Sequence, residues 1–132
     1  MELMIDFPGG KRVDAHFDNF TVQTDQPKTS GGDNSAPSPF QVFLASLGTC
    51  AGIYVLGFCN QRNLSTEGIR IIQRVTSNPA NGMADCIEME IQVPPSFPSN
   101  YYDALVRSAE QCKVKKTIEN PPSFVVHTQV VA

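Results

Sequence analysis

The chain has 132 residues, the size of a single domain, with 10 Lys and Arg against 13 Asp and Glu and a net charge of −3. There is no basic excess to neutralise phosphates, and without Trp and with 8% aromatics there is little on which to stack bases, so nucleic-acid partners are disfavoured. Apolar residues make up 41% and charged residues only 17%, below the roughly 25% of an average domain, which points to surface hidden in a subunit interface.

In chain order, Leu3 to Phe7 is a short apolar run closed by a turn at Pro8-Gly9-Gly10-Lys11. Val13, Ala15 and Phe17 alternate with polar residues, and so do Phe20, Val22 and Thr24, which predicts a small antiparallel meander. Gln26 to Pro39 is a long loop rich in Gly, Pro, Ser, Asn and Asp, a length at which loops often carry function. Ser38 as N-cap and Pro39 as first helical residue start a helix that runs to about Arg62. No side chain from Asn34 to Gln61 is charged, so this helix is expected to be buried on all sides, with help from a partner subunit. Phe40 to Cys59 is long enough to cross a bilayer, but Gln41, Ser46, Thr49 and three glycines, with no flanking basic cluster, favour a core helix over a membrane span.

Glu67–Thr76 and Ile87–Val93 read as a hairpin with one wet face around a turn at Asn78–Gly82. A second helix is expected from about Ser99 to Lys116, with Tyr102, Leu105, Val106, Ala109 and Cys112 on one apolar face. Phe124 to Val131 reads as a last strand. The order β-β-β-α-β-β-α-β is an α+β plan in one domain, residues 1–132.

Met1 to Asp6 lacks the basic and apolar regions of a signal peptide, so the chain is read as cytoplasmic and its four cysteines as reduced thiols. Their spacing, with His16 and His127 far away, fits no zinc site. Cys50 has two opposed readings: a buried apolar site makes a thiol inert, and a nearby cation makes its thiolate a nucleophile. Cys59 faces the other side of the same helix, and Cys86 sits in a strand beside Asp85, so both read as structural. Cys112 precedes Lys113, Lys115 and Lys116.

Three features resemble the OsmC/Ohr family of osmotically induced and organic hydroperoxide resistance proteins. Gly31-Gly32, Pro37-Ser38-Pro39 and Leu44-Ala45-Ser46-Leu47-Gly48-Thr49-Cys50 are similar to its first signature. Cys112-Lys113-Val114 is similar to its second Cys-x-Val motif. The element order is the third. The resemblance implies antiparallel sheets around long buried helices in an intertwined homodimer with interface active sites. It implies that Cys50 attacks an organic hydroperoxide, forms a sulfenic acid and condenses with Cys112, and that a small dithiol or lipoyl reductant restores the pair, with no metal, flavin or haem. Arg12 resembles the family's N-terminal Arg that faces the thiolate. The family commonly has a Glu at the helix start to orient that Arg; here Phe40 and Gln41 occupy the place. The competing expectation is a non-catalytic dimer of the same fold that holds a small hydrophobic ligand.

Overall fold

The alternation around Val13 becomes the middle strand of a three-stranded antiparallel sheet in the computed structural model, which describes residues 1–132. The strands are β1 (Met4–Gly9), β2 (Arg12–Phe17) and β3 (Phe20–Thr24), in the order β1-β2-β3. Gly9 and Gly10 take positive φ between β1 and β2, and Asp18 does so between β2 and β3. The register sets Ala15 opposite Ile5 and Val22 on one face, and Asp14 opposite Asp6 and Gln23 on the other.

The loop that follows is built around Asp25, which is 1% exposed. Its carboxylate accepts hydrogen bonds from Gln26 N at 2.7 Å, Ser35 N at 3.0 Å and Ser35 Oγ at 2.6 Å. The Ser35 hydroxyl is the largest cause, followed by the backbone amides, that holds the Asp25 pKa down to about 2. Gly31 has φ 86°, and a Cβ on Gly32 would overlap the Gln26 carbonyl, so the Gly-Gly pair is a steric requirement of this loop.

Helix α1 spans Pro39–Gln61. Ser38 Oγ accepts from Gln41 N at 3.3 Å and Gln41 Oε1 accepts from Ser38 N at 2.9 Å, a reciprocal capping box. The chain divides into two compact units, Met1–Ser46 and Leu47–Ala132. In the second unit, β4 (Arg70–Ser77) and β5 (Ala84–Gln92) pair as an antiparallel hairpin. Arg74 on its wet face meets Glu88 and Glu90 at 3.1 and 3.2 Å. Val55, Phe58 and Cys59 of α1 form a core with Phe97 and Leu105, joined by Ile71 and Ile91 from the hairpin.

The architecture is α+β with antiparallel sheets, as expected. Within the single chain, Leu47, Ala51, Val55 and Phe58 of helix α1 form a buried stripe, while Ile53 is 59% exposed. A single chain supplies only enough hairpin and helix to cover one stripe of an all-apolar cylinder. The expected helix Ser99–Lys116 is interrupted. A 3-10 turn at Ser99–Tyr101 leads into α2 (Tyr102–Ala109), and α3 (Lys113–Glu119) follows a break at Glu110–Cys112. Residues 124–131 form no strand; Phe124 and Val126 are 84% and 96% exposed, because β-branched composition makes a ladder only with a partner strand.

Candidate active site

The break between α2 and α3 positions the candidate site. Cys112 is not on the apolar face of a continuous helix. It is the N-cap of α3, with ψ at 119°, and its sulfur accepts from Lys115 N at 3.4 Å. A helix N-terminus leaves N–H groups without intrahelical partners, and here a sulfur takes one of them. The Cys112 side chain is 1% exposed, and its thiol can donate to Leu47 O at 3.8 Å.

Cys50, half-buried in α1, faces the same helix start. The backbone amides of Val114 and Lys113 and the Cys112 side chain are its polar surroundings. The Val114 amide is the largest of the influences that lower the Cys50 pKa; the Cys112 thiol, the Lys113 amide and the Lys113 ammonium add to it against the cost of burial. Cys112 shifts the other way: burial raises its pKa, and the adjoining Cys50 sulfur raises it further. The two neighbouring thiols are thus shifted in opposite directions, Cys50 down and Cys112 up.

The structure therefore brings Cys50 and Cys112 together. The cation beside Cys50 is Lys113. Arg12 lies on β2, where its Nη2 pairs with Asp14 Oδ2 at 3.3 Å. Asp14 is 5% exposed, and its Oδ1 is buried with no hydrogen-bond partner. At the helix start, Gln41 is committed to the capping box and Phe40 stacks on Phe43 at 5.6 Å. Cys59 belongs to the core cluster, where burial raises its pKa.

The sequence reading missed the amides of Lys113 and Val114, which carry no side-chain signal. Lys113 was legible as a charge next to Cys112, but only the helix break turns that charge and those amides toward Cys50. Asp14, the partner of Arg12, was visible only as the polar half of an alternating strand.

A cavity of about 530 Å³ lies alongside, lined by Leu47 and Ala51 of α1, Ile71 and Met89 of the hairpin, and Val106 and Cys112. Exposed Cys86 and the ion-paired Lys115 and Glu119 also reach it. Its walls are mainly apolar, the usual character of a small-molecule site.

Comparison with known proteins agrees with this arrangement of elements. No curated protein matches the sequence significantly. Among solved structures, an osmotic stress induced and detoxification response protein of Psychrobacter arcticus superposes with a TM-score of 0.74 at 18% identity, over 87% of this chain and 85% of that one. An organic hydroperoxide resistance protein OsmC of Legionella pneumophila gives 0.55 at 20% identity, over 89% of each chain. The organic hydroperoxide resistance protein OhrB of Bacillus subtilis gives 0.53 at 17% identity, over 91% of this chain and 93% of that one. The sequence pattern of the OsmC-like proteins matches residues 32–127, a span that holds Gly32, both paired cysteines and the hairpin, and the chain belongs to the OsmC-like family.

Proposed function

We propose that the protein is a thiol-dependent peroxidase for organic hydroperoxides, working as a cytoplasmic homodimer. The observation that carries this reading is the contact between Cys50 and Cys112 at the start of α3, with opposite pKa shifts on the two sulfurs. The organic hydroperoxide resistance named for the Legionella and Bacillus structures supports a peroxide-related role.

The Cys50 thiolate attacks the terminal oxygen of ROOH; the O–O bond breaks, the alkoxide leaves and takes a proton, and Cys50 becomes a sulfenic acid. Cys112 then attacks the Cys50 sulfur, expelling the hydroxyl as water and closing a disulfide. A thiol reductant returns the pair to two thiols. Amides of Val114 and Lys113 favour the thiolate form of the attacking sulfur, and burial favours the thiol form of Cys112. Arg12, paired with Asp14 on β2, is a second cation for the thiolate on the family resemblance alone.

The test is mass spectrometry after a modest excess of cumene hydroperoxide. Cys112→Ser is expected to accumulate a dimedone-trappable sulfenic acid on Cys50, and Cys50→Ser to leave Cys112 unmodified. Oxidation of Cys112 ahead of Cys50 reverses the roles, and no oxidation of either residue removes the peroxidase reading. In that event the apolar cavity supports the second reading, a binding protein for a small hydrophobic ligand.

A further inference from the structure

Away from the cysteines, polar groups converge on one face of the three-stranded sheet. The register sets Asp6 of β1 directly opposite Asp14 of β2. His16 stands two residues further along β2, on the same face as Asp14. Like charges directly opposite one another destabilise a sheet. Arg12, also on that face, offsets only part of this, with its Nη2 on Asp14 Oδ2 at 3.3 Å. Asp14 is 5% exposed, and its Oδ1 is buried with no hydrogen-bond partner. A buried carboxylate oxygen without a partner has lost the hydration of the unfolded chain and gained nothing in return. One carboxylate oxygen from each acid and one ring nitrogen of His16 lie within 4.8 Å of one another.

We propose that Asp6, Asp14 and His16 bind a divalent transition cation of the zinc type, independently of the cysteine chemistry. His16 is already oriented for it. Its Nδ1 meets Thr21 Oγ1 at 3.1 Å, and its Nε2 faces Asp6 Oδ1 at 3.1 Å. With Nδ1–H donating to the hydroxyl, the Nε2 lone pair points at a carboxylate oxygen, and only a proton or a cation between the two makes that contact attractive. Ligating histidines donate their other ring N–H in this way, and ligating carboxylates are themselves hydrogen-bonded. Thr21 and Arg12 supply those contacts, which leaves Oδ1 as the Asp14 ligand. Zinc binds imidazole nitrogen and carboxylate oxygen at about 2.0–2.2 Å, so two ligands on one tetrahedral ion stand about 3.4 Å apart. The Nε2–Oδ1 pair is close to that spacing, and the Asp6 side chain, 48% exposed, is free to rotate and close the rest. A nitrogen among the ligands selects against magnesium and calcium, which take oxygen throughout. The exposed side of the cluster leaves the remaining coordination position to water.

The chain has two histidines, His16 and His127, so nitrogen NMR of the imidazole rings reads the site directly. Zinc added to the reduced protein is expected to move the His16 Nε2 resonance and to leave the His127 ring in place. Magnesium in tenfold excess over that zinc is expected to move neither. Asp6→Asn keeps the size of the side chain and removes a like-charge neighbour of Asp14, so it does not weaken the sheet. It is expected to weaken zinc binding at His16 at least tenfold, and Asp14→Asn, which keeps the buried volume, is expected to do the same. A His16 ring that stays in place up to millimolar zinc, as when the cysteines take the metal instead, overturns the proposal. So does an equal movement of both rings, an equal response to magnesium, or a zinc affinity unchanged in Asp6→Asn.

Discussion

Replacing Lys113 with Pro tests whether backbone amides set the reactivity of Cys50. Lys113 is the first residue of α3, where proline is well tolerated, and the preceding Cys112 already has the extended ψ of 119° that a following proline demands. The substitution deletes one N–H donor to Cys50 and one ammonium while leaving the Val114 amide in place. A hydrogen bond to a charged group contributes about 1.5–3 kcal/mol. Cys50 is only half-buried, so water recovers part of this, and a net loss of about 1.4 kcal/mol is a tenfold smaller thiolate population below the thiol's pKa. A more basic thiolate is also a better nucleophile, with a Brønsted slope of about 0.4–0.5, which returns about threefold. The alkylation rate of Cys50 by iodoacetamide is therefore expected to fall about three- to fourfold near pH ~6 and to rise about threefold near pH ~10. Lys113→Gln, which keeps the amide and removes only an exposed charge, is expected to change the low-pH rate by less than about twofold. The measurement is the rate across pH for both variants. A Lys113→Pro rate lowered equally at all pH values means blocked access, and an unchanged profile means the amide does nothing; either result refutes the reasoning.

Acid is expected to loosen the loop after β3. Asp25 has a folded pKa of about 2, below its ordinary value of 3.8, so its contribution to stability is full above about pH 4 and is lost as pH falls toward about 2. Asp25→Asn abolishes that pH window, read as amide exchange of Ser35 and Gln26 between those limits; an unchanged acid profile in the variant is the contrary result. Gly32→Ala is expected to lower the thermal midpoint because its Cβ meets the Gln26 carbonyl, and a midpoint equal to that of the parent protein means the loop moves aside freely. Leu105→Ala, at a site 2% exposed between Phe58 and Phe97, is expected to cost about 2–5 kcal/mol in urea unfolding, and a loss under about 1 kcal/mol means the core collapses around the gap.

The parts of the fold that sequence reveals are those whose cause is local. Val13, Ala15 and Phe17 alternate because one face of β2 is apolar, and that period is written in the chain. Ser38-Pro39 starts α1 with its own side chains and ring. The end of α2 is different. The apolar spacing Tyr102, Leu105, Val106, Ala109, Cys112 runs through the break without a Gly or Pro to announce it, and the cap of α3 is a thiol, a residue seldom read as an N-cap. Cys50 and Cys112 were legible as a pair only by resemblance; what makes them unlike is a set of backbone donors that every residue but proline possesses. Residues 124–131 have strand composition, but a strand is a property of two segments, and no partner segment is fixed by the composition of one.

The Asp25 cage ties Gln26 to Ser35 across a span that would otherwise be a free tether between β3 and α1. Chain entropy scales with the length left unpinned, and gathering both ends of the span onto one carboxylate converts a long flexible connector into two short ones. Within the unit Met1–Ser46, the stretch left unpinned between β3 and the Ser38-Pro39 helix start is thereby only the few residues after Ser35. Substitutions at Lys28 or Thr29, outside that stretch, will leave the helix start where it is, whereas the loss of one carboxylate at Asp25 releases it.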